Sequence, residues 1–290
     1  MIHFAVFLLF LSLNTPSEEV KFPWVVYYGD QAPVEAFDPY NPIVLDSKSH
    51  PPLKPLLDKK KEVLGYLNLA ETSQEDAWFQ SIKDKQLLIK ENPSWPGSWS
   101  INIRDPYWEN FLIEKIIPGI LSQGFTGLFL DQLDVSLDLE KQDPEKYKGM
   151  TAAAIHLVHT IHKQFGKRIM MNRAYEILPQ VGEDIDYELA ETLYTSYHFE
   201  TKQYYVRPKA EFEWQLQQLN SARRLFPHLV IFSLDYWDPK DKEMYKKIYA
   251  IERKNCVRPY VSAIVLGEFV PGEFPQDVPQ KENKDDKSKP

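Results

Sequence analysis

The chain has 290 residues, 43% hydrophobic and 26% charged, which is ordinary globular usage and excludes both a mini-protein that needs covalent staples and a wholly disordered chain. Its 42 acidic residues outweigh 34 basic ones for a net charge of −8, a poor match to a phosphate backbone, so nucleic acid is not an expected partner. Aromatic residues make up 13% of the chain, more flat amphipathic surface than a core usually consumes, and such a surplus suits a ligand cleft, including one for sugars.

In chain order, residues 5–13 read AVFLLFLSL, the length of a signal-peptide core and too short to span a bilayer, and the turn-prone Asn14-Thr15-Pro16-Ser17 follows. The reading is an export signal over residues 1–17, with the chain acting as a secreted or periplasmic protein. The competing reading, a first buried strand, is weaker because residues 24–29 (WVVYYG) already supply a better one. No later uncharged apolar stretch reaches about 18 residues, so no membrane span is expected in the mature chain. Residues 276–290 are polar and Lys/Asp-rich, a solvated tail, which leaves residues 18–275 as one domain, read as a monomer.

Within that domain eight β-rich runs recur, most followed by a segment of helical periodicity: residues 24–29, 42–46, 62–70, 127–131, 168–172, 187–192, 229–235 and 259–264. Eight such units in about 250 residues predict a single (β/α)8 TIM barrel of α/β class. The doubly wound alternative lacks its G-x-G-x-x-G fingerprint. Asp105-Pro106 reads as a cap and first helical position opening a helix over residues 107–123, with Pro118-Gly119 expected to kink it and Gly124 to end it. Further helices should close at Gly166 and run from Pro208 to Pro227. Residues 71–105 form an oversized connection carrying Trp95 and Trp99, and long loops in compact domains tend to be functional.

In such a barrel the strand C-termini face the active site. Those ends supply Tyr28 and Asp30, Asp46, Asn68 and Glu71, Asp131 and Asp134, Asn172 and Arg173, Glu191, and Asp235 and Tyr236. Any one carboxylate there is most simply a helix cap or a loop charge. Seven at one mouth imply a bound cation or acid-base chemistry, because crowded like charges cost free energy. Asp131 and Glu191 close strands four and six, alternate neighbours, and a carboxylate pair so placed is the minimum set for glycoside hydrolysis.

The segment Gly124-Phe125-Thr126-Gly127-Leu128-Phe129-Leu130-Asp131-Gln132-Leu133-Asp134 resembles the strand-four signature of the glycoside hydrolase family 114 barrels, the endo-α-1,4-polygalactosaminidase-like proteins. Residues 24–30, 44–46, 65–68 with Glu71, 95–97, 172–173, 190–194 and 234–236 look like the family's other blocks in order. Thr126 stands where Asp is usual, and Ala70 and Ala174 stand where glycine is common. The resemblance implies an exported, endo-acting hydrolase of α-1,4-linked galactosamine-rich exopolysaccharide, with Asp131 and Glu191 at the catalytic positions and no cofactor. An amino-sugar polymer is cationic, so Asp30, Asp46, Glu71, Asp134 and Asp235 are expected to attract it, while Tyr28, Trp95, Trp99, Tyr194 and Tyr236 stack on sugar faces. A separation of about 5 to 5.5 Å would make the enzyme retaining, with Asp131 as nucleophile and Glu191 as proton donor.

Two other features read as ordinary. His156, His159 and His162 recur every third residue, but their helix lies outside the barrel and carries no carboxylate on the same turn, so a metal site is not expected. Lys59-Lys60-Lys61 is bracketed by Asp58 and Glu62 and reads as a solvated helix end, and the lone Cys256 reads as buried and inert. A catalytically silent sugar-binding barrel and a metal-dependent deacetylase are the alternatives, the latter disfavoured by the lack of a His/Asp ligand set at the strand ends.

Overall fold

The computed structural model describes residues 23–272. The expected export signal and polar tail lie outside the described residues. The chain begins with β1 (Val25–Tyr27), β2 (Ile43–Leu45), α1 (Leu53–Asp58) and β3 (Val63–Asn68). Next come β4 (Glu71–Ser73), α2 (Phe79–Asp84), β5 (Leu88–Glu91), β6 (Ser98–Ile101), α3 (Pro106–Phe111) and α4 (Ile117–Leu121). The middle of the chain forms β7 (Gly127–Asp131), α5 (Leu133–Gln142), α6 (Met150–Phe165), β8 (Arg168–Asn172), α7 (Leu178–Val181) and β9 (Tyr187–Glu191). It ends with β10 (Thr195–His198), β11 (Gln203–Val206), α8 (Lys209–Leu225), β12 (Val230–Tyr236), α9 (Lys242–Lys254) and β13 (Arg258–Ser262).

Eight parallel strands, β1-β2-β3-β7-β8-β9-β12-β13, form one sheet that wraps into a nearly closed barrel. All eight expected strands are there, each within two residues of its predicted ends. First and last strands meet through single bonds, Tyr28 N to Leu266 O at 2.8 Å and Trp24 Nε1 to Arg258 O at 3.0 Å. Trp24, Phe232 and Tyr260 pack edge to face beside that seam. Gly127 allows β7 to lie close to β8, since a Cβ there would stand 2.5 Å from the Arg168 carbonyl oxygen. Thr126, one residue earlier, accepts from Val63 N and donates to Val63 O, fixing where β7 begins against β3.

The helix signals act as expected. Asp105 accepts from Tyr107 N ahead of Pro106, Gly166 closes α6 in the left-handed region, and α8 starts after Pro208. Gly124, at φ +112°, turns the chain after α4. Pro118 acts upstream of itself: residues Leu112–Ile116 widen into a π-helical stretch, which relieves the clash of the proline ring with the carbonyl one turn earlier. The oversized connection is not a bare loop, because β4, β6 and β5 form a small antiparallel sheet with α2 inserted. A second antiparallel pair, β10 and β11, follows β9.

Cys256 is exposed, correcting the buried reading: α9 stops at Lys254 and the chain reverses through Cys256 at φ +58°, a surface turn. The α6 histidines do meet carboxylates, from neighbouring elements rather than their own turn, with His156 on Glu109 at 2.9 Å and His159 on Asp184. Among the described residues no helix is long and apolar enough to cross a membrane.

Candidate active site

Strand registers decide which side chains enter the mouth. Tyr66 pairs with Phe129 and Asn68 with Asp131 across β3 and β7. Phe129 lies opposite Met170, so Asp131 and Asn172 are level, and then Asn172 lies opposite Leu189 and Glu191 opposite Leu234. Paired residues in a parallel sheet share a face and side chains alternate, so Tyr66, Asn68, Asp131, Asn172, Glu191 and Tyr236 all point into the barrel.

There they form one hydrogen-bonded chain. Asn172 Nδ2 donates to Asp131 Oδ1 at 2.9 Å and to Glu191 Oε2 at 2.7 Å. Tyr66 donates from its hydroxyl to Asp131 Oδ2 at 2.9 Å, and Tyr236 donates to Glu191 Oε1 at 2.6 Å. Gln132, at φ +66°, turns the chain into α5 and lays its N–H on Asp131 Oδ1 at 2.8 Å. Laid end to end, the two bonds from Asn172 limit the separation of the nearest Asp131 and Glu191 oxygens to about 5.6 Å, below the spacing at which a water fits between sugar and base.

Burial first, and the Glu191 charge second, push the Asp131 carboxyl up to about 7, with Asn172 and Tyr66 pulling it back. Burial also raises the phenols of Tyr28, Tyr66 and Tyr236 well above their usual value, reinforced by the charges of Asp131 and Glu191. All three remain protonated at neutral pH, which keeps the two hydrogen-bonded ones as donors.

A cleft of about 290 Å³ opens over this floor, lined by Asp131, Asp134, Asn172, Arg173, Glu191, Tyr236 and Trp95 from the predicted set. Asp134 pairs with Arg173 Nε at 3.4 Å, and burial raises the Asp134 carboxyl. Tyr28 packs its ring on Tyr66 at 5.2 Å. Asn68 turns the chain by accepting from Ala70 N and Glu71 N.

Several predicted residues lie elsewhere. Glu71 is buried and accepts from Asn92 and Ser98, joining β4 to the β5–β6 turn, while Trp99 is half-buried on β6. Tyr194 sets its ring on Phe212 of α8. Asp30 is exposed beside Gln31 and Ser49, and Asp46, raised by burial, accepts from Lys48 N. Asp235 is fully buried and turned outward from the barrel. Of the five acids expected to attract a cationic chain, only Asp134 lines the cleft, and Arg173 and Arg207 line it too.

Sequence reasoning passed over Tyr66, although period-two alternation from Asn68 points to it. It also passed over Asn92, Ser196, Tyr197, Phe199 and Arg207, which come from the two antiparallel insertions. Trp95 and Phe199 meet edge to face at 5.1 Å. Their parent loops follow the third and sixth barrel strands, so the contact arches over the ends of the fourth and fifth, which carry Asp131 and Asn172.

The model of glycoside-hydrolase family GH114 matches residues 11–273. Among solved structures, the chain is similar to the glycoside hydrolase domain of PelA from Pseudomonas aeruginosa, at 21% identity and a TM-score of 0.76 over 87% of this chain and 99% of that one. It is also similar to Aspergillus fumigatus Ega3 in complex with galactosamine, at 14% identity and a TM-score of 0.63 over 87% and 96% of the two chains. At these identities the likeness is one of fold. An uncharacterized protein of Deinococcus radiodurans is 22% identical over 126 residues, 42% of this chain and 38% of that protein, so the match spans under two fifths of the curated relative.

Proposed function

The chain belongs to glycoside hydrolase family GH114, and on that premise we propose that it cleaves α-1,4-linked galactosamine-rich polysaccharide, endo-acting and retaining, with Asp131 and Glu191 as its carboxylate pair. The observation that carries this reading is the single Asn172 Nδ2 bonded to both carboxylates, which keeps them within the spacing of a nucleophile and an acid/base rather than that of two groups flanking a water. The likeness to Ega3, whose structure holds galactosamine, supports the sugar class.

Asp131 is held by three donors on a strand end, and a nucleophile so fixed can meet an anomeric carbon without reorganising. Its carboxylate oxygen attacks that carbon while Glu191 protonates the departing glycosidic oxygen, giving a glycosyl ester on Asp131. Glu191 then takes a proton from water, whose oxygen displaces Asp131 and restores both groups. In the free site the Asp131 carboxyl sits near 7, and an ammonium-bearing sugar arriving beside it favours the ionised form the attack needs. Tyr236 and Asn172 fix the Glu191 side chain by its two oxygens.

The same reading assigns residues 1–17 to export and residues 18–275 to a secreted or periplasmic catalytic domain working as a monomer. The test is reducing-end release from defined oligosaccharides of galactosamine, N-acetylgalactosamine and galactose, with the anomer of the first product read by NMR. Internal cleavage of the galactosamine chain with retained configuration is expected. Binding without release would make the barrel a silent sugar-binding protein, and an inverted first product would remove the nucleophile role from Asp131.

A further inference from the structure

Behind the cleft, on the outward face of the barrel wall, lie two carboxyls that the reaction does not use. Asp235 on β12 and Glu252 on α9 are both fully buried. Ser233, two residues before Asp235 and on the same face of β12, donates to Glu252 and so brings the α9 carboxyl beside that of Asp235, whose charge adds to burial in raising Glu252 well above the usual carboxylate value. The surrounding donors decide which of the two holds a proton. Asp235 Oδ1 accepts from Tyr194 N at 2.9 Å, from Thr195 N, and from Thr195 Oγ1 at 2.9 Å. Glu252 Oε2 accepts only from Ser233 Oγ. Among the described residues Asp235 Oδ2 and Glu252 Oε1 have no hydrogen-bond partner. Three donors stabilise the ionised form of Asp235, so a proton shared by the pair sits on Glu252, where a bond from Oε1 to Asp235 Oδ2 would satisfy both orphans at once.

Asp235 sits between two residues of the site's own scaffold. Leu234 O accepts from Thr192 N at 2.7 Å, one residue past Glu191, and the Tyr236 hydroxyl holds Glu191 Oε1. Beyond Thr195 the hairpin of β10 and β11 brings Ser196, Tyr197 and Phe199 to the cleft, with Arg207 just after it. The segment from Glu191 to the hairpin crosses the rim with Thr192 in the left-handed region at φ +53°, a conformation that needs outside support.

We propose that Asp235 and Glu252 form a proton-sharing clamp that positions the segment from Glu191 into the hairpin, and so sets the geometry of the cleft from the far side of the barrel wall. Both are positioning residues, and the effect on turnover rests on the reading of Asp131 and Glu191 as the carboxylate pair. A glutamine at 252 keeps a donor toward Asp235 Oδ2, while an alanine leaves a buried aspartate with one oxygen unpaired.

The experiment measures amide hydrogen exchange over residues 192–198 together with kcat and KM in the full chain carrying Glu252→Gln, Glu252→Ala or Thr195→Val. Glu252→Ala should speed exchange and lower kcat by about tenfold each, while Glu252→Gln stays within about twofold of the parent in both. Thr195→Val, which removes one donor and keeps side-chain shape, should give an effect of the same sign and about threefold size, and it carries the test if the alanine variant does not fold. Parental exchange in both Glu252→Ala and Thr195→Val overturns the clamp, as does a glutamine variant no better than alanine. Faster exchange with unchanged kcat overturns the positioning role. If the parent chain turns over no galactosamine substrate, the function proposed above fails while the exchange arm still decides the clamp.

Discussion

The floor of the mouth and the arch above it are held in opposite ways. On the floor, Tyr66, Asp131, Asn172, Glu191 and Tyr236 lie on five adjacent barrel strands and are linked by four hydrogen bonds, so no one side chain moves without disturbing the next. In the arch, Trp95 and Phe199 are 49% and 38% exposed and meet in one edge-to-face contact, the kind of pair worth about 0.5–1.5 kcal/mol. A rigid floor suits groups that must meet a transition state without rearranging, and a weakly joined arch suits a polymer that has to enter and leave.

The sharpest way to break this contrast is at the pair itself. Asp131→Asn and Glu191→Gln should each lower kcat on the order of 10⁴-fold with unchanged thermal unfolding, and the double variant should be scarcely worse, because the proposed mechanism uses the two as a unit. Near-parental turnover in either single variant would remove the pair from the mechanism.

Asn172→Ala comes next. It removes the shared donor, so kcat should fall on the order of 10²-fold. Its hydrogen bond lowers the Asp131 carboxyl, which in the parent is pushed up to about 7. In the proposed mechanism Asp131 acts in its ionised form, so the acid limb of kcat/KM should lie near that value and move to higher pH in the variant. A limb that stays in place would show that Asn172 does not tune Asp131.

Phe199→Ala tests the arch. Loss of one aromatic contact predicts a change of about two- to tenfold, carried mainly by KM on long polymer and little by kcat on short oligosaccharides. A loss of kcat on both would mean that the arch belongs to the rigid floor.

The smallest effect is expected at Ala174, which follows the floor residue Asn172 by two positions and sits at φ +49°. Ala174→Gly removes the cost of a left-handed alanine, about 1 kcal/mol, and thermal denaturation should show a rise in Tm of about 2 °C.

Sequence alone determined the eight barrel strands, their order and most helix ends, because these follow from local periodicity, caps and breakers: Asp105-Pro106, Gly124 and Gly166 each act within a few residues of themselves. It also placed Asp131 and Glu191 at strand ends, since a strand that closes an apolar run with an acid shows as much without its neighbours. Tertiary structure decided which strand-end residues face the mouth. Asp235 and Tyr236 are adjacent, so only one can point inward, and the choice depends on the register that sets Leu234 opposite Glu191 and so puts Tyr236, two residues on, on the inward face. That register turned Asp235 out to the α9 side and Tyr236 in to Glu191. The same holds for Trp95 and Phe199, separated by about a hundred residues and brought together only because two insertions reach over a closed barrel; nothing in either segment records the other.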